Sequence, residues 1–117
     1  MIPKFRAWDK ETKTMNGMAE IYRNRNQEIE LRPRDENIIL MQSTGLKDKN
    51  GKEIFEGDIL GTKDGSLNGV VEYRTDLGMW TNSLVRYNNF ERLCSIASDR
   101  KIIGNIYENP ELLEVTE

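Results

Sequence analysis

The amino-acid sequence predicts a mainly β protein of the α+β class with few short helices. Its apolar runs are short, the longest being residues 38–41, and several alternate with polar residues as half-buried strands do. Turns rich in glycine and asparagine separate these runs. A charged loop at 33–37 predicts a boundary between a small mixed or β subdomain, 1–36, and a second subdomain, 37–117, together forming one compact unit.

The centre of the chain, residues 44–60, predicts a β-hairpin. Apolar runs at 38–41 and 54–60 flank a polar turn that contains Asn50 and Gly51, two residue types that tolerate positive φ. Gly57, between two acidic residues, indicates a bend or bulge in the second run. Because Gly45, Gly51 and Gly57 recur every six residues, we interpret them as backbone turns and not as ligand contacts.

The N-terminal part predicts two further hairpins. Residues 5–8 form a first strand, and a polar turn leads to Met15, which would share an apolar side with Phe5 and Ala7. Trp8 would lie on the opposite side, either packed in a core or at an interface. Residues 28–32 alternate as a strand that follows a polar loop at 23–27, whereas 18–27 fits a helix or a strand.

The second part predicts a small, strongly bent barrel. Residues 70–74 and 79–87 form a hairpin joined by 75–78, and both of its faces carry apolar side chains. Helical spacing at 90–98 predicts one short helix, and 101–107 predicts a closing strand. Asn109, Pro110 and Glu111 then predict a brief helical turn.

The chain offers few groups for catalysis or metal binding. It has no histidine and a single cysteine, Cys94, whose apolar neighbours favour a buried and inert thiol. The twelfth position counted from Asp48 is Ile59, which excludes an EF-hand loop, and Glu56 and Asp58 fit a structural pair better than a metal pair. We therefore expect no enzyme activity, no metal and no cofactor.

Targeting and membrane signals are also missing from the sequence. No basic segment followed by an apolar segment opens the chain, and no apolar run approaches the roughly 20 residues of a spanning helix. With a lone cysteine, the reducing cytoplasm is the expected compartment.

Charge is distributed unevenly along the chain. Residues 1–34 carry eight Lys and Arg against five Asp and Glu, a net charge of +3, which leaves −6 for residues 35–117. This asymmetry fits nucleic-acid contact by the first half, head-to-tail self-association or a solvated surface. The candidate binding residues are Arg6, Trp8, Arg23, Arg25, Arg32 and Arg34.

Three segments, at 5–9, 41–59 and 103–112, together resemble the YopX family of phage and prophage proteins. Ser43 stands where an aromatic residue is expected, and Phe55 replaces the commoner tyrosine. The resemblance implies a small phage-encoded protein with a mixed N-terminal part, an SH3-like C-terminal barrel and an oligomeric state. It implies no established activity and no catalytic residues, since a fold alone does not specify a function.

Three functional hypotheses follow. The leading one is a non-enzymatic interaction module that self-assembles and binds a host or phage macromolecule. The alternative is a nucleic-acid-binding accessory protein, in which the arginines named above meet phosphate while Trp8 or Tyr22 stacks on bases. An enzyme that uses only carboxylates is the third, and it would need paired acids in a deep pocket.

Overall fold

The computed structural model describes residues 4–16, 21–23, 29–31, 38–62, 67–85 and 87–113. The chain divides into two compact units, unit 1 (Met1–Ser43) and unit 2 (Thr44–Glu117). The predicted subdomain boundary after residue 36 stays a prediction, since residues 32–37 lie outside the described ones. The prediction of a mainly β chain is confirmed, with a curled half-barrel sheet and one short helix.

Unit 1 is built from short antiparallel strands. β1 (Phe5–Asp9) lies between β2 (Thr14–Asn16) and the first half of β5 (Ile38–Lys47). A separate two-stranded sheet pairs β3 (Ile21–Arg23) with β4 (Ile29–Leu31). Both predicted N-terminal hairpins are therefore confirmed, and the segment that fitted a helix or a strand is a strand at 21–23. The loop between β3 and β4 lies outside the described residues.

The turn between β1 and β2 is held by Asp9. Its Oδ1 accepts hydrogen bonds from the backbone N–H groups of Glu11, at 2.9 Å, and Thr12, at 3.2 Å. The Lys13 N–H donates to the Asp9 carbonyl at 2.8 Å, and Lys13 adopts a left-handed φ of 56°. The side chain thus stabilises a turn that contains no glycine.

The predicted grouping of side chains on this hairpin is wrong. Met15 pairs directly with Trp8, and Ala7 pairs with Asn16. Because cross-strand partners in an antiparallel pair share a face, Met15 lies on the side of Trp8 and not with Phe5 and Ala7. The length of the turn sets this register, and the apolar pattern alone did not specify it.

The central hairpin of the sequence is confirmed as β5 and β6 (Glu53–Phe55). The Gly51 N–H donates to the Asp48 carbonyl at 3.0 Å, and the Asp48 N–H donates to the Lys52 carbonyl at 2.8 Å. Gly51 has a φ of +80°, whereas Asn50 does not have positive φ. This is a three-residue loop, a tight turn followed by a left-handed glycine.

The predicted strand 54–60 is in fact two strands in different sheets. β6 ends at Phe55, the chain turns through Gly57 at a φ of +86°, and β7 (Asp58–Gly61) begins. The Gly57 N–H donates to the Val71 carbonyl at 2.8 Å, and its carbonyl accepts from the Ile106 N–H at 3.0 Å. The turn is sharper than a bulge, because it moves the chain from one sheet to another. The prediction of backbone turns holds for Gly51 and Gly57, whereas Gly45, which also has positive φ, lies within β5.

A larger sheet, which lies entirely in unit 2, has five antiparallel strands in the order β10-β9-β8-β7-β11. Its other members are β8 (Asn68–Arg74), β9 (Met79–Leu84), β10 (Phe90–Arg92) and β11 (Lys101–Asn105). The predicted hairpin of β8 and β9 and the predicted closing strand are confirmed. Register shifts once, between Ile102 and Gly104 of β11.

The predicted helix at 90–98 is shorter than expected. Residues 90–92 pair with β9, and only then do α1 (Leu93–Ile96) and a 3₁₀ turn (Ala97–Asp99) follow. A second 3₁₀ turn, Pro110–Leu113, confirms the predicted brief helical turn. There the Leu112 N–H donates to the carbonyl of Asn109, at 3.1 Å, while the Asn109 side chain accepts from the Asn105 N–H, at 3.2 Å.

In the core of unit 2, α1 packs against strands of the β5–β6 hairpin and of the five-stranded sheet. Its buried members are Ile54, Leu60, Val71, Leu93 and Ala97, with Leu46, Trp80, Ile96 and Ile102 packed around them. The prediction of a buried thiol is wrong, since Cys94 is exposed. One helical turn places Leu93 and Ala97 on the same inward side, so that their neighbour Cys94 faces outward. None of the helices in the described part of the chain is long and apolar enough to cross a membrane.

Candidate functional site

Large apolar side chains are exposed at both ends of β9 in unit 2. Tyr73 is 46% exposed and Leu77 is 43% exposed at the tip of the β8–β9 hairpin, and Tyr87, beyond the other end of β9, is 55% exposed. Large apolar side chains are usually buried in proteins. A cluster of exposed ones therefore indicates a candidate contact surface. We call Tyr73, Leu77 and Trp80 the hairpin-tip patch.

The aromatic pair of the patch is held rigidly. Tyr73 and Trp80 are direct cross-strand partners, and their ring centroids are 5.2 Å apart with an interplanar angle of 71°. Trp80 is partly buried and packs against the core of unit 2. An edge-to-face pair of this kind stabilises the hairpin and fixes the orientation of the exposed tyrosine.

The tip of the same hairpin carries an ion pair. The Arg74 guanidinium donates from Nε to Oδ1 of Asp76, at 2.9 Å, and from Nη2 to Oδ2, at 2.7 Å. This hydrogen bonding raises the pKa of Arg74 and lowers the pKa of Asp76. Arg74 also lies 5.2 Å from the ring centroid of Phe90, a cation–π distance. A rigid aromatic pair and a preorganised arginine are the side chains that binding hot spots favour.

A row of hydrogen-bonded polar side chains runs from β9 through β10 to Arg100, which follows the 3₁₀ turn Ala97–Asp99. Asn82, which is 1% exposed, donates from Nδ2 to Oε1 of Glu91 at 3.1 Å, and Arg100 donates from Nη2 to Oε2 of Glu91 at 2.7 Å. The Asn82 amide occupies the space where a Cβ on Gly69 would lie, 2.3 Å from Oδ1. The row joins β9, β10 and the residue that follows the 3₁₀ turn, and both carboxylate oxygens of Glu91 accept a hydrogen bond within it.

Two acidic residues considered as metal ligands have structural hydrogen bonds instead. Asp48 is 5% exposed, and its carboxylate accepts three backbone N–H groups. Asp58 is 1% exposed, and its Oδ2 accepts the Phe55 N–H at 2.8 Å across the Gly57 turn. Among the described residues, no group of three or more acidic, cysteine or histidine side chains could hold a metal ion.

The six residues predicted to bind lie in unit 1, and the structure describes three of them. Arg6 and Trp8 are on β1, and Arg23 ends β3 opposite Ile29. Arg25, Arg32 and Arg34 lie outside the described residues. A shared binding surface formed by the six therefore stays a prediction.

Arg6 and Trp8 occupy a sheltered face of β1. Trp8 is 7% exposed, so its ring is not accessible for stacking on a base. The Arg6 Nη2 lies 3.7 Å from the sulfur of Met41, its cross-strand partner on β5. Alternation along the strand puts the side chains of Arg6 and Trp8 on one face. The sequence pattern did not show whether that face would be sheltered or exposed.

The observed division of the chain changes the charge of its parts. Unit 1 ends at Ser43 and so includes Asp35 and Glu36, which reduces its net charge to +1, and unit 2 carries −4. The positive charge is therefore concentrated in residues 1–34 and is partly neutralised within the same unit. Sequence reasoning missed the hairpin-tip patch because apolar side chains on both faces of the predicted hairpin 70–87 did not indicate which of them would be exposed.

Comparison with known proteins identifies the fold and the family. The family model described as YopX protein matches residues 4–114. Among solved structures, protein EF1440 from Enterococcus faecalis is 33% identical, with a TM-score of 0.64, and the match covers 97% of this chain and 99% of that one. Protein yopX from Bacillus subtilis is 21% identical, with a TM-score of 0.57, and the match covers 95% and 98%.

No curated protein matches the sequence. The family match spans both units and includes the three segments that first suggested it, at 5–9, 41–59 and 103–112. The chain belongs to the YopX family.

Proposed function

We propose that this protein is a non-enzymatic interaction module that assembles with further copies of itself through the hairpin-tip patch. In this proposal it is a phage- or prophage-encoded protein that acts in the cytoplasm of a bacterial host and presents its assembled form to a host or phage macromolecule. The observation that carries the proposal is the exposure of Tyr73 and Leu77 beside the half-buried Trp80.

The physical character of the patch supports a protein partner. Tyr73 is braced by Trp80, so little side-chain freedom remains to be lost when a partner covers it. Leu77 lies in the turn of the hairpin, between strands whose register is fixed by six residue pairs. Rigid aromatic and aliphatic groups next to an arginine fit the composition of the central part of protein interfaces.

Charge complementarity supports a second copy as that partner. Residues 1–34 carry +3, whereas unit 2, which presents the patch, carries −4. Opposite charges within one chain favour a head-to-tail contact, in which the acidic unit of one copy meets the basic segment of the next. Such a contact closes into a ring when its rotation permits.

The bonding of two buried acids and one half-buried acid supports a non-enzymatic role. Asp48 and Asp58 accept backbone N–H groups, and Glu91 accepts from Asn82 and Arg100. A general base or nucleophile needs a lone pair directed at substrate, and these oxygens are directed at the protein itself.

Light scattering and sedimentation across micromolar concentrations test the proposal. We expect the unmodified chain to be an oligomer that becomes smaller as salt is raised, since screening weakens contacts between opposite charges. Leu77→Ser and the double variant Tyr73→Ser with Leu77→Ser, which remove apolar contact without adding charge to the acidic unit, should shift the population to monomer. Tyr87→Ser, which removes an exposed ring beyond the other end of β9, is the matched control and should leave the size unchanged.

Two results would overturn the proposal. One is a strictly monomeric unmodified chain, and the other is an oligomer whose size the patch variants do not alter although they remain folded by circular dichroism. A melting temperature for each variant separates loss of contact from loss of fold.

The concentration of arginine in residues 1–34 favours nucleic-acid binding as a second candidate function. With Trp8 buried, this candidate rests on phosphate contacts by arginine and not on stacking by that ring. Failure to retard single- or double-stranded DNA or RNA at low salt would eliminate it.

A further inference from the structure

The same dipeptide, Asn-Gly, occurs in two contrasting settings in unit 2. Asn50 and Gly51 lie in the β5–β6 turn, and both are exposed. Asn68 and Gly69 begin β8, where Gly69 is buried and Asn68 is half-buried. A third pair, Asn16 and Gly17, does not enter the comparison, because Gly17 lies outside the described residues.

We propose that Asn50 is a site of spontaneous, structure-selected deamidation, and that Asn68 is protected. Asparagine is among the thermolabile residues, and a following glycine offers no side chain to hinder attack by its backbone nitrogen. The Gly51 nitrogen loses its proton and attacks Cγ of Asn50. A carbon–nitrogen bond forms, the bond to the side-chain nitrogen breaks, and ammonia leaves with the proton.

Water completes the reaction. It opens the cyclic imide at either of two carbonyls, giving aspartate or isoaspartate at position 50. The net change exchanges ammonia for water, consumes no oxidant or reductant, and adds one negative charge to the turn.

The geometry of the β5–β6 turn leaves the reacting atoms accessible. The Gly51 N–H makes one hydrogen bond, to the Asp48 carbonyl at 3.0 Å, and a Cβ built on Gly51 would meet nothing within 4 Å. Freeing the Gly51 nitrogen for attack breaks that single bond at the protein surface and leaves the bonds from Asp48 to Lys52 and Ile102 in place. Breaking one exposed hydrogen bond costs less free energy than separating paired strands of the core.

The setting of the second pair restricts the same attack. Gly69 pairs with Leu60 on β7 and with Leu84 on β9, so strands flank it on both sides. The Asn82 amide covers the Cα of Gly69. Moving the Gly69 nitrogen toward the Asn68 side chain would require β8 to separate from its neighbours, an opening comparable to unfolding of the sheet.

Deamidation at Asn50 would alter a turn that is bonded to β11. The neighbouring Lys49 N–H donates to the Arg100 carbonyl at 2.8 Å, and Asp48 accepts the Ile102 N–H at 3.0 Å. Isoaspartate lengthens the backbone between residues 50 and 51 by one carbon, which displaces the Gly51 N–H from the Asp48 carbonyl. The added carboxylate also lies next to that of Asp48 and repels it.

Incubation of the folded full-length chain at mildly alkaline pH, followed by peptide mass spectrometry, tests the proposal. We expect Asn50 to convert to aspartate and isoaspartate at least several-fold faster than Asn68. In denaturant, where both sites are the same Asn-Gly dipeptide without structure, the two rates should become similar. The ratio of the two rates therefore isolates the effect of the fold.

Two variants sharpen the test. Asp48→Asn, which weakens the anchoring of the turn, should speed conversion at Asn50 and leave Asn68 unaffected. Asn50→Ser removes the reactive amide, so its melting temperature should stay constant during an incubation that lowers that of the unmodified chain. Equal rates at Asn50 and Asn68 in the folded chain, or an intact Asn50 in folded chain under conditions that convert it in denaturant, would overturn the proposal.

Discussion

The two hairpin turns of unit 2 look alike in sequence and differ in what they hold together. The β5–β6 turn and the β8–β9 turn each contain an aspartate and a glycine with positive φ, +80° at Gly51 and +64° at Gly78. Asp48 of the first is 5% exposed, whereas the Asp76 side chain of the second is 60% exposed. Asp48 therefore lies within the fold and stabilises it, whereas Asp76 lies at the surface.

The difference lies in the sequence distance that each carboxylate spans. Asp76 bonds Arg74, two residues away on the same hairpin. Asp48 bonds Asn50 and Lys52 within its turn and also Ile102, 54 residues further along the chain. A long-range bond of this kind joins the hairpin to the edge of the five-stranded sheet. The β8–β9 turn has no such tie among the described residues, which leaves its tip available to a partner.

The largest difference in stability that we predict is between variants of the two aspartates, Asp48 and Asp76. Asp48→Ala deprives three part-buried backbone N–H groups of a charged acceptor, and because each such hydrogen bond contributes about 1 kcal/mol, we expect a loss of about 3 kcal/mol of unfolding free energy. Asp76→Ala removes an exposed pair that is screened by solvent and should change stability far less. Chemical denaturation of both variants measures the difference, and equal losses would refute the distinction between the turns.

The next effect concerns the chain reversal that follows the β5–β6 hairpin. Gly57→Val places a β-branched residue at a φ of +86°, where β6 ends and β7 begins in another sheet, and should cost about 2 kcal/mol. Lys49→Ala, in the exposed turn, retains the backbone bond to Arg100 and should cost several-fold less. Thermal unfolding of the pair tests this, and equal melting temperatures would contradict a structural role for Gly57.

The turns were predictable because their causes are local. An Asn-Gly pair, an aspartate before a charged turn, and glycines between apolar runs each specify a backbone conformation through neighbouring residues. The hairpins of β1–β2, β3–β4, β5–β6 and β8–β9 were therefore foreseen, as were the turns at Gly51 and Gly57. The turn expected at Gly45 was not found, because that glycine lies within β5.

The features that sequence reasoning missed depend on partners far along the chain. Residues 90–92 have helical spacing, yet they pair with β9 and form a strand. Met15 changed sides because the turn set the register, and Cys94 is exposed because Leu93 and Ala97 take the inward side of a single helical turn. Tertiary packing decides between patterns that are equally periodic in a short segment.

The candidate site was the least predictable part, for the same reason. The predicted arginines were selected by charge, and Arg6 with Trp8 proved to lie on a sheltered face of β1. The hairpin-tip patch was not foreseen, because Tyr73 and Trp80 belong to strands that also supply core residues. Which end of an apolar strand is covered depends on the curvature of the sheet, and alternation does not report it.

The smallest effect we predict is the pH dependence that Asp48 confers on the β5–β6 turn. Burial by itself would raise the pKa of Asp48, but three backbone hydrogen bonds and the charge of Lys52 outweigh it and lower that pKa below 3.8. A lowered pKa in the folded state stabilises the fold above the unfolded-state value, and this stability is lost as the pH falls through the folded-state value.

Asp48→Asn keeps one acceptor oxygen and does not titrate. We therefore expect the stability difference between the unmodified chain and Asp48→Asn to be constant near neutral pH and to shrink below about pH 4. Urea denaturation at several pH values measures it. A difference that stays constant into that acid range would show that the carboxylate charge contributes nothing to the turn, whereas the same experiment with Asp76→Asn should show a much weaker dependence, because that side chain is exposed.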